Sequence, residues 1–163
     1  MRRWLCVVAA AALALAACAR RSEFRAEEAV DFGAYRHFGV APFLDPKGRG
    51  QQVTDAFAAA LAQSTYEPVD QKALAEILSQ YKPDREVGYR AEELETLRSK
   101  TGADALIIGR MAADWSYALV TVVELDSGAS VLHARLLPKK GKAFTSADQV
   151  AREFLRVYAK AAR

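Results

Sequence analysis

Beyond position 18 the chain contains no cysteine. Its two, Cys6 and Cys18, both lie near the start. The remainder has no thiol for a disulfide, for redox exchange or for a cysteine-ligated metal, so packing alone must stabilise it. Histidine is equally scarce, with His37 and His133 the only two. A protein zinc site gathers several His, Cys or carboxylate ligands at short spacing, and neither histidine has that company in sequence. There is no Gly-x-Ser-x-Gly nucleophile elbow and no glycine-lysine-serine/threonine ending of a phosphate loop. These absences argue against an enzyme and against a resident cofactor or metal.

An excess of one charge is also missing. Lys and Arg number 23 against 20 Asp and Glu. Two of the 23, Arg2 and Arg3, belong to a leader described next, and without them 21 basic residues face 20 acidic ones. A chain so nearly neutral gives no electrostatic footprint for nucleic acid.

What is present begins with that leader. Met1-Arg2-Arg3 is basic, Trp4 to Ala14 is apolar and uncharged, and the small residues Ala16 and Ala17 precede Cys18. This is the order of a secretory signal peptide, and the apolar run is short for a membrane span of about 20 residues. Leu15-Ala16-Ala17-Cys18 resembles the lipobox of bacterial lipoproteins. The resemblance implies that residues 1–17 are a signal peptide removed before Cys18. The Cys18 thiol would carry a diacylglyceryl group and the new amino group an acyl chain such as palmitate. Several chains are needed for durable anchoring, because each buried CH₂ contributes about 0.8 kcal/mol and a single chain is marginal. Ala19 rather than aspartate after the cysteine resembles an outer-membrane address, with the domain on the periplasmic face. Retention at the inner membrane and surface exposure stay open.

The 163 residues less the 17 of the leader leave 146, the size of one domain. Residues 18–34 are charged and poor in large apolar side chains, and read as a lipidated cysteine on a short tether. Residues 35–163 read as a single α/β domain. Tyr35 to Phe43 is aromatic and β-branched, a strand, and residues 45–50 are a loop. Helix periodicity runs from Gln51 to Ser64 through Val53, Phe57, Ala60 and Leu61. Tyr66 to Val69 is a short strand. Asp70 is an N-cap for Gln71 to Tyr81, with Leu74, Ile77, Leu78 and Tyr81 on one stripe. Pro83 to Tyr89 is a charged loop. Ala91 to Thr101 carries acidic residues early, basic ones late and Gly102 past its end, as a helix dipole and C-cap require. Ala105 to Gly109 is an apolar strand. Ser116 to Leu125 and Ser130 to Leu137 read as a hairpin turning at Asp126-Ser127-Gly128. Ser146 and Gln149 form a capping-box pattern ahead of a helix whose stripe is Val150, Phe154, Val157, Tyr158 and Ala161. The order β-α-β-α-α-β-β-β-α implies one mixed, twisted sheet with helices packed on it.

FGVAPF (38–43), EPVDQKALAEIL (67–78) and TGADALIIGRM (101–111) together resemble the curli-secretion-channel (CsgG-like) lipoprotein superfamily. The unit is also similar to the N-terminal domain of the Tol-system propeller protein and to lipoproteins that activate peptidoglycan synthases. The resemblance implies a non-enzymatic envelope protein that binds or assembles with another envelope component. A regulator of a peptidoglycan synthase and an accessory or ring-forming subunit of a secretion assembly are the alternatives. Homo-oligomers stay open. Curli channels add membrane-inserting hairpins, each strand about 9–11 residues long. Here the only hairpin is needed by the core sheet, which argues against a self-sufficient pore.

Five features are weighed for chemistry. His37 and His133 read as ordinary surface or core histidines. Gly48-x-Gly50 before a helix is a turn rather than an anion site. Asp104 caps or turns rather than acting as an acid. Lys139, Lys140 and Lys142 form a solvated loop, with anionic lipid as the sharper alternative. Trp115 is either core or contact.

Overall fold

A computed structural model describes residues 21–81 and 89–163. The leader, Cys18 and the proline that was expected to stop the helix ending near Tyr81 lie outside the described residues. Most of the loop expected at 83–89 does as well.

Among the described residues, four α-helices follow the apolar stripes. α1 spans Gly50–Ala62 and buries Val53, Phe57 and Leu61. α2 spans Gln71–Ser79 and buries Leu74, Ile77 and Leu78, while Asp70 accepts the amide N–H groups of Lys72 and Ala73. α3 spans Ala91–Thr101 and ends at Gly102, whose φ of 69° is left-handed. α4 spans Ala147–Ala161 and buries Val150, Phe154, Val157 and Tyr158. At its start Ser146 accepts the Gln149 amide. The Gln149 side chain, however, accepts from Thr145 rather than from Ser146, so the expected reciprocal box closes one residue early.

The strands are β1 (Glu23–Ala26), β2 (His37–Val40), β3 (Glu67–Pro68), β4 (Ala105–Met111), β5 (Ala118–Glu124) and β6 (Ser130–Leu136). They form one sheet in the order β1-β6-β5-β4-β2-β3. β2 is parallel to both β3 and β4, and the β4-β5-β6-β1 part is antiparallel. The mixed α/β sheet with packed helices is the architecture expected from the sequence.

The N-terminal boundary is not. Residues 18–34 read as tether, yet Glu23–Ala26 pair with Leu132–Arg135 at the edge of the sheet. Phe32 is buried and packs edge-on against Tyr158. Among the described residues, the stretch from Glu23 to Phe32, expected to be tether, is therefore part of the folded unit. Glu23 and Arg25 are the reason the strand was hidden. They alternate with Phe24 and Ala26, and both face away from the main core.

The two faces of the sheet are covered unequally. α1 and α4 cover one face along most of its width, over Phe38, Val40, Ile107, Val120, Leu132 and Leu136 among others. α2 and α3 cover the other face only over the β2-β4 half, where Leu74, Ile77, Leu78, Leu94 and Leu97 meet Leu106, Val123 and Leu125. The alternating set Leu119, Thr121, Val123 of β5 lies on this second face. The main core takes the other register, Ala118, Val120 and Val122.

Phe43 locks the first strand region to the sheet. Its ring lies on Gly109, where a Cβ would stand 2.1 Å from a ring carbon, and its carbonyl lies where a Gly50 Cβ would be, 1.9 Å away. Thr54, buried in α1, accepts the Phe43 amide and donates to the Gly50 carbonyl.

Candidate functional site

Asp104 sits where the sequence raised the question of an acid. Its Oδ2 accepts the backbone N–H groups of Arg36 and His37 at 2.8 Å each, and the His37 ring Nδ1 lies 3.2 Å away. Its own amide donates to the His37 carbonyl, and its carbonyl accepts from Leu125. Burial alone would raise its pKa, but the His37 and Arg36 amides and the His37 ring together hold it below the ordinary value. One residue thus ties the start of β2, the start of β4 and the end of β5. Glu67 adds a contact to His37 Nε2 at 3.5 Å. The cluster is an exposed clamp, and among the described residues no three His, Cys, Asp or Glu side chains gather as a metal site.

His133 is elsewhere. It lies on β6, with β5 and β4 between it and the strand of His37. At about 4.8 Å per strand this is roughly 14 Å, too far for both histidines to hold one ion. Its Nδ1 contacts Thr121 at 3.1 Å on the uncovered face.

The Gly48-x-Gly50 loop already holds an anion of its own. Asp45, whose side chain is 0% exposed, accepts the amides of Lys47 and Arg49. It also accepts from the Trp115 indole. Burial would raise its pKa, but these donors and the Arg49 guanidinium hold it low. Arg49 then stacks 3.9 Å from the Trp115 ring centre. The Lys47, Gly48 and Arg49 amides are thus all taken within the loop by Asp45, as in a turn, and Trp115 is core, 5% exposed.

Two surfaces remain. The first is the uncovered half of the sheet, a shallow groove of about 440 Å³ running over β1, β6 and β5 past Glu23, Arg25, Thr121, His133 and Arg135. The second is the start of the described chain. Ser22 Oγ donates to the Glu153 carboxylate of α4 and accepts the Leu137 amide at 2.9 Å. Glu153 is 5% exposed and is forked by Arg156. Burial would raise its pKa, but Arg156, Ser22 and the nearby Lys139 charge keep it low. No sequence signal pointed to Ser22 or Glu153. Charged Glu153 falls one position before Phe154 in an otherwise apolar stripe and reads from sequence as a surface residue.

No helix among the described residues is long and apolar enough to cross a membrane. Neither a protein-family model nor a curated protein matches the sequence. Solved structures do. The lipoprotein GNA1162 of Neisseria meningitidis is 15% identical, with a TM-score of 0.53 over 78% of this chain and 96% of that one. PelC of Paraburkholderia phytofirmans, a dodecamer, is 12% identical, with a TM-score of 0.52 over 87% and 98%. E. coli LpoB is 12% identical, with a TM-score of 0.51 over 63% and 57%. At such identities the likeness is one of fold: this chain has the fold that a bacterial lipoprotein adopts over nearly its whole length.

Proposed function

We propose that this is a non-enzymatic lipoprotein of the bacterial cell envelope, held by lipid on Cys18, whose α/β domain binds or assembles with another envelope component. Outer-membrane attachment and membership of the CsgG-like superfamily belong to the same reading. The observation that carries it is the junction of leader and fold. Only residues 19–22 separate Cys18 from β1, in a fold shared with the lipoprotein GNA1162. A leash of that length reaches roughly 14–18 Å at full extension, which keeps the domain beside its membrane and favours a local partner. It counts against a regulator that must reach across the envelope to a peptidoglycan synthase.

The test is in-cell photocrosslinking of the full chain. A photoreactive residue at Thr121 or Arg25, on the uncovered face, is expected to give a discrete adduct in the membrane fraction. The same group at Asp55, exposed on α1, is expected to give none. Equal yields at all three positions, or none, would contradict the reading.

The likeness to dodecameric PelC favours a second reading, in which the envelope component is another copy of this chain. Light scattering on a size-exclusion column separates the two. A monomer at high concentration removes the ring.

A further inference from the structure

Beside Ser22 lies a cavity of about 310 Å³, lined by Lys139, Lys140, Phe144, Gln149, Arg152 and Glu153. Its one acidic side chain is buried and already engaged by Arg156 and Ser22. Its cations are not so engaged: Lys139, Lys140 and Arg152 are exposed and make no ion pair among the described residues. Lys142, exposed in the same loop, and Arg21, exposed at the chain start, extend the basic patch. The cavity therefore has a cationic rim and one wall from the buried Phe144 ring.

Its position is as telling as its charge. The bond from Leu137 to Ser22 Oγ and the bond from Ser22 to Glu153 place the incoming chain at the cavity's border. Residues 19–21 are all that separate Ser22 from Cys18, so position 18 lies within roughly 14 Å of Ser22, which is bonded to the cavity's Glu153. A guanidinium fork and two ammonium groups suit a phosphate oxyanion.

We propose that this cavity seats the phosphate of an anionic phospholipid headgroup, with Lys139, Lys140 and Arg152 as its ligands, and so orients the domain on the membrane that holds Cys18. The orientation rests on the lipid-anchor reading. The headgroup contact does not, and it is tested on protein without lipid.

The test uses residues 18–163 with Cys18→Ser, a chain that keeps every described element. It is sedimented with vesicles of phosphatidylcholine alone or of phosphatidylcholine with phosphatidylglycerol. Binding to the anionic vesicles only is expected. Each juxtamembrane charge contributes roughly fivefold to such binding, so K139Q/K140Q weakens it more than tenfold and added R152Q further still. K72Q/K100Q removes equal charge from α2 and α3 and is expected to leave binding within twofold. Unchanged circular dichroism of each variant establishes that it is folded. Equal loss in the two double variants, or no preference for anionic vesicles, would overturn the proposal. So would release by millimolar inorganic phosphate at constant ionic strength, which would identify a free-anion site. Failure of Cys18 to carry lipid leaves these outcomes unaffected, so the two claims fail separately.

Discussion

Ser22 and Glu153 are joined by a hydrogen bond across 131 positions of sequence. The bond fastens the start of the described chain to the middle of the last helix. Where a free tether was expected, residue 22 is instead fixed to the sheet edge and the last helix. Glu153→Gln leaves the Arg156 guanidinium without its anion and weakens the Ser22 bond. Loss of about 1–3 kcal/mol is expected, read from urea unfolding. Ser22→Ala is expected to cost less, because Arg156 still satisfies the carboxylate. The reverse ranking would contradict this account of the pair.

Phe32 gives the sharper test of where the domain begins. It is 3% exposed, and the Tyr158 hydroxyl donates to its carbonyl. If residues 31–35 are core, Phe32→Ala costs about 3–5 kcal/mol. A tether residue would cost close to nothing. Thermal unfolding of the two proteins decides between these.

Gly109 and Phe43 form a pair that fits only as it stands. Gly109→Ala places a methyl group on the Phe43 ring and is expected to destabilise by about 1–3 kcal/mol. In a double-mutant cycle, Phe43→Leu made in the Gly109→Ala background is expected to cost less than in the native chain, because it makes room for the methyl. Strict additivity would show that the crowding is relieved elsewhere.

Acid stability follows from three carboxylates. Asp45, Asp104 and Glu153 all have folded pKa values below their ordinary ones. Each therefore adds stability that is complete above the unfolded carboxylate range, near pH 4. That stability is lost as the pH falls through the lower folded values. A plot of unfolding free energy against pH is expected to drop below about pH 4–5. Asp104→Asn is expected to lower the neutral plateau and flatten the acid limb, since the amide still reaches the strand but carries no charge to lose. An acid limb as steep as the native one would remove Asp104 from the set.

Much of this fold was legible because amphipathic helices advertise themselves. The stripes of α1, α2 and α4 name the residues that are buried, and Gly102 marks the end of α3. β1 was not legible. In Glu23-Phe24-Arg25-Ala26 the polar side chains face the uncovered half of the sheet, so a strand looks like a charged linker. β5 was legible as a strand but not in its facing, because both of its faces carry apolar residues and only the helices decide which is core. Asp104 was picked out correctly as a residue to explain. Its role depends on two amides from a strand 67 and 68 positions away, a fact of packing rather than of local pattern. The same holds for Asp45, which fills the loop that its neighbouring glycines made look like an anion site.

The central claim is that Cys18 carries lipid and holds the domain at a membrane. Cells expressing the full chain are fed an alkyne fatty acid, and the purified protein is examined by in-gel fluorescence and intact mass. The account predicts labelled protein whose chain begins at Cys18, and loss of both label and cleavage in Cys18→Ser. Labelling unchanged by that substitution, or a mature chain beginning elsewhere, would contradict it.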